Sequence, residues 1–127
     1  MTPVARILAT PAACALMDKL RTEHGCNIIF HQSGGCCDGS APMCFEEGEF
    51  RLGESDVCLG EVHGAKFYMS GFQFEYWKHT QLTLDVVEGR GASFSIEIPH
   101  GVRFLIRSRI FTEDELDNLV PVTSAVS

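Results

Sequence analysis

The sequence predicts an α+β fold rich in β-structure, with an N-terminal helix, a compact and mostly antiparallel β domain, and a short C-terminal helix. Apolar residues recur at helical spacing close to the N-terminus. From residue 50 onward, short apolar and β-branched segments follow one another, separated by breaks that contain glycine. A chain of 127 residues has the length of one domain. We therefore expect a single domain over residues 1–127, with a core of about 10–117 and a flexible tail over 118–127.

The first predicted helix begins after Thr10, a suitable N-cap, and has Pro11 at its first position. Gly25 is expected to end it. Residues 26–31 are β-branched and apolar enough for a buried strand. That strand leads into residues 33–40, where closely spaced glycines predict a loop in which the backbone can turn sharply.

The second half of the chain predicts six strands and a last helix. In the fifth of these strands, Phe94, Ile96 and Ile98 alternate with polar residues, which indicates one buried and one solvent-facing side. The acidic stretch 112–116 is typical of a capped helix. The predicted strands cover residues 57–63, 66–69, 72–77, 82–87, 93–99 and 102–109.

The composition excludes several classes of protein. The chain has 10 lysine and arginine residues against 17 aspartate and glutamate residues, so it offers no basic surface for nucleic acid or anionic lipid. No apolar run of about 18 residues indicates a membrane span. The apolar residues before position 15 resemble a secretion signal only weakly, because Thr10 and Pro11 interrupt them. We expect a cytoplasmic protein that binds neither nucleic acid nor membranes.

Three cysteines cluster in the glycine-rich segment. Cys36, Cys37 and Cys44 lie within nine positions of one another, and His31 precedes them on the incoming strand. Thiolates and imidazole are the ligands that zinc, iron and iron–sulfur clusters prefer, and six cysteines in a reducing compartment are not expected to form structural disulfides. These four residues are the candidate metal ligands, although the chain has no C-x-x-C pair.

Two other interpretations of this segment stay open. One of the thiols could be a reactive thiolate, with His31 as the base that lowers its pKa and Asp38 as the carboxylate that orients the imidazole. Alternatively, the cysteines are inert and the loop only turns the chain. Cys14 and Cys26 are interpreted as packing residues, and Cys58 is left out because its odd offset from His63 places the two on opposite faces of a strand.

A second group of chemically active side chains lies in the aromatic segment that follows residue 71. If residues 72–77 form a strand, alternation places Glu75, Trp77 and His79 on one face. Glutamate, tryptophan and histidine together are unusual for a plain solvent-facing surface. We count these three residues, with Asp38 of the loop, as a possible pocket.

Residues 30–40, 42–44 and 73–82 together are similar to a small bacterial family, domain-of-unknown-function family 779. The resemblance extends from Thr10 to about Glu115, and Cys36, Cys37 and Cys44 match the motif of the family. Members of this family are often encoded beside aldehyde dehydrogenases. The resemblance therefore implies an accessory role in aldehyde or alcohol oxidation, with an aldehyde dehydrogenase as a partner.

The order of elements also resembles the A-type iron–sulfur carriers, or HesB-like domains. In those carriers a short helix precedes a strand that ends in a Gly-Gly-Cys loop, and a compact β domain follows, which implies a HesB-like β-sandwich outline here. The carriers hold their cluster with a further Cys-Gly-Cys near the C-terminus, and this chain has no cysteine after Cys58. The resemblance therefore supports the outline more than the same mode of cluster binding.

The sequence thus favours a non-enzymatic accessory protein that binds zinc, iron or an iron–sulfur cluster through its cysteine loop. The first alternative is a thiol-based redox enzyme or sensor. The second is a structural or ligand-binding module without metal. A small β domain with many aromatic residues is also expected to form a homodimer.

Overall fold

The computed structural model describes residues 3–32, 40–49, 52–89 and 95–124. Three α-helices lie in these ranges: α1 (Pro11–His24), α2 (Gly71–Trp77) and α3 (Glu113–Leu116), together with a 3-10 helix, Ile98–His100. The strands are β1 (Ile7–Ala9), β2 (Ile28–Gln32), β3 (Met43–Glu46), β4 (Asp56–Val62), β5 (Ala65–Ser70), β6 (Thr80–Glu88), β7 (Val102–Ile110) and β8 (Thr123–Ser124).

The strands form two sheets. The smaller sheet has the order β1-β6-β7, and the larger has the order β3-β2-β5-β4-β8. Within them, β1 runs parallel to β6 and β2 runs parallel to β5, while the other neighbouring pairs are antiparallel. The predicted α+β class with a mostly antiparallel arrangement is therefore confirmed, and the two parallel pairs were not anticipated.

One hydrophobic cluster connects the two sheets and α1. Phe30 on β2 stacks on Phe67 of β5 with ring centroids 6.0 Å apart, and it meets Phe104 of β7 edge-to-face at 4.8 Å. Helix α1 contributes Met17 and Leu20, both fully buried. These contacts hold the smaller sheet, the larger sheet and the first helix in one arrangement.

Both terminal helices were predicted correctly, because each carries its own cap. The Thr10 side chain accepts a hydrogen bond from the Ala13 N–H, and Gly25 ends α1 in the left-handed conformation, with φ of 68°. Helix α3 has a reciprocal capping box between Thr112 and Glu115. None of the described helices is long and apolar enough to cross a membrane.

The predicted strand over residues 72–77 is wrong, because this segment is helix α2. The Ser70 side chain accepts from the N–H of Gln73 and so caps the helix. Gly71 donates its N–H to Ser55 O, and a Cβ at this position would lie 2.8 Å from the same oxygen, so the chain turns here only with glycine. Aromatic residues favour strands, but the capped turn prevails over that preference.

The predicted strand over residues 93–99 is also wrong in its described part, which is a turn followed by the 3-10 helix. Alternation predicted Ser95 and Glu97 on the solvent side, yet both are buried. The Ser95 hydroxyl accepts a hydrogen bond from the N–H of Cys44 at 2.8 Å, and the Glu97 carboxylate accepts from the N–H of Phe104 at 3.3 Å. These polar side chains satisfy backbone groups of neighbouring strands, which is why they lie inside.

Three short strands, β1, β3 and β8, were not predicted. β1 is the segment that weakly resembles a secretion signal, and it lies beside β6. Near the C-terminus, Leu119 pairs with Val4, and β8 pairs with β4. Val120 and β8, both in the expected tail, are thus hydrogen-bonded to the rest of the chain. The single-domain boundaries and the HesB-like outline stay predictions.

We predict that Glu97→Gln changes how stability depends on pH. Burial raises the pKa of the Glu97 carboxyl above its ordinary 4.5, although hydrogen bonds from Ser95 and the Phe104 N–H act in the opposite direction. The folded chain therefore holds this proton more tightly than the unfolded chain. Ionisation of Glu97 takes no free energy of unfolding from the protein below its ordinary pKa, and it takes progressively more as the pH rises towards the folded pKa. Relative to wild type, the glutamine variant should gain free energy of unfolding as the pH rises above about 4.5, measured by urea denaturation.

Glu61→Gln is the matched control, because Glu61 is exposed on β4. This variant removes an exposed carboxylate, so it shows the effect of losing one charge without the effect of losing a buried group. A difference between Glu97→Gln and wild type that stays constant with pH would contradict the prediction.

Candidate functional site

The candidate site lies on strand β2, where neighbouring residues face opposite sides of the larger sheet. Phe30 pairs with Cys44 and Phe67 and points into the hydrophobic cluster. His31 pairs with Met43 and Tyr68, so its side chain lies on the other face. All five residues of β2 are buried, which is unusual for a strand that carries a histidine.

His31 forms a buried pair with Asp56. Its Nε2 lies 3.0 Å from Asp56 Oδ1, and the two side chains are only 6% and 11% exposed. The second carboxylate oxygen of Asp56 accepts a hydrogen bond from the Gly53 N–H at 2.7 Å. Because an ionised carboxylate only accepts hydrogen bonds, the contact with Asp56 places a proton on Nε2 of His31. An imidazole oriented by a carboxylate in this way is typical of metal-binding and of proton-accepting histidines.

Two further reactive side chains share the face of His31. Cys58 on β4 and His31 on β2 both pair with Tyr68 of β5, so the three residues form a row across the sheet. Burial raises the pKa of the Tyr68 hydroxyl, and the Cys58 and Glu47 side chains raise it further. Cys58 was left out of the predicted site because of its offset from His63. The structure places Cys58 in the same row as His31.

Cys44 lies apart from His31. It was predicted on the glycine-rich loop, and that placement is wrong because Cys44 belongs to β3 and pairs with Phe30. Its side chain is fully buried on the core face, opposite to His31. Burial, and then the nearby Glu97 carboxyl, raise the pKa of the Cys44 thiol well above its ordinary value.

Cys36, Cys37 and Asp38 lie outside the described residues, so their roles stay predictions. Within the described ranges, no group of three or more histidine, cysteine, aspartate or glutamate side chains is arranged to hold a metal ion. A site with three or more such ligands that uses His31 would therefore need at least one ligand from beyond those ranges, and Cys36 and Cys37 are the nearest thiols in sequence.

The predicted pocket face of Glu75, Trp77 and His79 does not form, because residues 71–77 are helical. Trp77 is buried in the hydrophobic cluster, whereas Glu75 and His79 are exposed. The Lys78 ammonium lies 2.7 Å from Glu75 and lowers the pKa of that carboxyl. The strand periodicity that grouped the three residues does not apply to a helix.

The two cysteines interpreted as packing residues are both half-buried free thiols. Cys14 lies on α1, and Cys26 precedes β2. The Cys26 thiol lies 3.7 Å from a carboxylate oxygen of Glu46, and partial burial followed by that carboxylate raises its pKa. Neither residue lies on the strands that carry His31 and Asp56.

Asp56 is the residue of the candidate site that the sequence did not indicate. It is 25 positions from His31, and the two meet only because β5 lies between β2 and β4 in the sheet. The turn-forming Gly53 before β4 is visible in the sequence, but nothing there indicates which strand β4 approaches. Among the described residues, Asp56 is the carboxylate that lies beside His31.

We predict that the Cys44 thiol is protected from alkylation in the folded protein. Its side chain is fully buried and its pKa is raised, so both access and thiolate formation are suppressed. Iodoacetamide should modify Cys44 at least about tenfold more slowly than the partly exposed Cys58, measured by peptide mass spectrometry. Equal alkylation rates of Cys44 and Cys58 in the native protein would contradict this prediction. In urea the two rates should be equal, which serves as the control.

Comparison with known proteins gives one result. No curated protein matches the chain. The model of a protein family described as "Domain of unknown function (DUF779)" matches residues 16–110, a range that runs from α1 to the end of β7. This match covers most of the chain, so the resemblance found in the sequence is confirmed and the protein belongs to the DUF779 family.

Proposed function

We propose that this protein binds a soft metal ion through the thiolates of Cys36 and Cys37 and through the imidazole of His31. Asp56 acts behind the imidazole as the carboxylate that orients it. Zinc suits such a mixed sulfur and nitrogen donor set best, and iron is the next candidate. With three protein ligands, one position is left for water or for a group from a partner protein.

The buried His31–Asp56 pair is the observation that carries this proposal. Metal-binding histidines almost always donate their second ring N–H to a carboxylate, a carbonyl or water. Here the carboxylate lies 3.0 Å from Nε2 and is itself held by the Gly53 N–H, so the imidazole is fixed before any ligand binds.

The length of the chain between His31 and the two thiols is compatible with a shared site. His31 is the penultimate residue of β2, and Cys36 and Cys37 follow it by five and six positions. Six residues span at most about 20 Å, so a turn of this short segment can bring both thiols to the imidazole. Cys44 is not included, because its thiol lies on the opposite face of the sheet.

The biological role that fits this proposal is that of an accessory protein for an aldehyde-oxidising enzyme. Only the family resemblance supports this part. A metal-binding loop with an open coordination position suits a protein that delivers or senses a metal, and neither task needs a catalytic residue.

We predict that Asp56→Asn weakens zinc binding by about 10–100-fold, because the imidazole loses the carboxylate that orients it and raises its basicity. Reduced protein without an affinity tag would be titrated with Zn²⁺ against a chromophoric chelator. Cys36→Ser and Cys37→Ser should each remove tight, stoichiometric binding. Circular dichroism would verify that each variant folds.

Asp18→Asn is the matched control. Asp18 also lies 3.0 Å from a histidine, His63, but both side chains are exposed, on α1 and on the turn after β4. This variant should bind zinc as wild type does. Wild-type affinity in Asp56→Asn, or full metal retention in both serine variants, would refute the proposal.

The same pair also supports a second candidate function, a reactive thiolate served by a base. His31, with Asp56 behind it, could take the proton of a nearby thiol, as in the nucleophile, base and carboxylate arrangement of thiol enzymes. Under this alternative, metal-free protein would show one rapidly alkylated cysteine near neutral pH, and Asp56→Asn would slow it. Uniformly slow alkylation of all the thiols would exclude the thiolate function and leave metal binding unaffected.

A further inference from the structure

A cavity of about 530 Å³ lies between the C-terminal end of α1 and the 3-10 helix, away from the His31–Asp56 pair. Its apolar wall is made by Ile96, Ile98 and Pro99, and its polar lining by Glu23, His24, Ser95 and His100. This size is in the range of sites for small organic molecules, and an apolar wall with a few polar groups is typical of them. We call it the histidine cavity.

Both histidines of the cavity are oriented by carboxylates. Nδ1 of His24 lies 2.7 Å from Glu46 Oε2, and Nε2 of His100 lies 2.6 Å from Glu23 Oε1. An ionised carboxylate only accepts, so each of these ring nitrogens carries a proton. The second nitrogen of a neutral imidazole is then a hydrogen-bond acceptor.

Ser95 adds a third acceptor to the lining. Its hydroxyl donates its only proton to the buried Glu97 carboxylate and accepts a hydrogen bond from the Cys44 N–H at 2.8 Å. Since the proton is used, the hydroxyl has only lone-pair density left to offer. With both imidazoles neutral, the three polar groups other than Glu23 that line the cavity all accept hydrogen bonds.

The electrostatic environment of the histidine cavity favours a cation. Two carboxylates lie directly behind its histidines, and no lysine or arginine is among its described lining residues. The 14-residue helix α1 ends at His24, so the negative end of its dipole lies at the cavity. The net charge of the whole chain is −7.

We propose that the histidine cavity binds a small primary amine with an apolar body. The ammonium group has three N–H donors for the acceptors of His24, His100 and Ser95, and its charge is balanced by Glu23 and Glu46. The apolar body lies against Ile96, Ile98 and Pro99 and replaces water there. This proposal is independent of the metal site.

The test uses three probes that share one apolar body: 2-phenylethylamine, 2-phenylethanol and phenylacetate. Each is titrated into the full-length protein by calorimetry, and the histidine side-chain resonances are followed by NMR. We expect the amine to bind at one site at least about tenfold more tightly than the alcohol, with shifts of the His24 and His100 resonances, and we expect no binding of the carboxylate.

Two variants locate the site. His24→Gln together with His100→Gln should weaken amine binding by about tenfold or more, because the acceptors and their orientation are lost. His63→Gln is the matched control, because His63 is also paired with a carboxylate but lies outside the cavity. Glu46→Gln should also weaken the amine, and it leaves both histidines in place.

Each outcome decides the proposal. The proposal is supported if the wild-type protein prefers the amine, the double variant loses this preference and His63→Gln keeps it. Equal binding of the amine and the alcohol would show that the cavity recognises only apolar surface, and tighter binding of phenylacetate would show protonated histidines that favour anions. Either result, or no binding by any probe, overturns the proposal.

Discussion

Strand β2 is buried on both faces, and the rest of the structure depends on how its two faces are satisfied. One face is apolar, and its Phe30 ring contacts rings from β5 and β7, so the two sheets are held together through this side chain. The other face carries His31, and a buried imidazole without a partner would cost about 1–3 kcal/mol. Asp56 removes that cost by pairing with His31. Because Asp56 is the first residue of β4, the same contact fixes where β4 begins relative to β2.

The elements that sequence alone predicts are those whose signals are local. Helix α1 has a cap, a proline and a terminal glycine within its own 16 positions, and α3 has its capping box, so both were found. β6 and β7 alternate clearly enough to be recognised as strands. By contrast, α2 was taken for a strand because its aromatic residues suit strands, while the contact that decides the turn, from Gly71 to Ser55, joins two separate segments.

The candidate site was only half predictable for the same reason. His31 could be chosen from its position before the cysteines, because that relation lies along the chain. The approach of Asp56 to His31 depends on the order of the strands, and the separation of Cys44 from His31 depends on their register. No local pattern encodes either of these. Cys44 is close to the loop cysteines in sequence, yet a one-residue step along paired strands is enough to place it on the other face.

Pairing with carboxylates is a general property of the histidines in this acidic chain, and the surroundings of each pair determine what it can do. The pair of His31 on β2 and Asp56 on β4 is buried, whereas the pairs at the histidine cavity are partly exposed and lie where a ligand can reach them. Four of the five histidines lie 2.6–3.0 Å from a carboxylate oxygen: His24, His31, His63 and His100.

The short outer strands have a practical consequence for anyone who shortens this protein. The family match over residues 16–110 leaves out β1, which covers one side of β6, and β8, which covers one side of β4. A chain cut to those limits would expose two rows of unpaired backbone N–H and C=O groups, and such edges promote aggregation between molecules. The residues outside the family match thus protect the sheets from self-association.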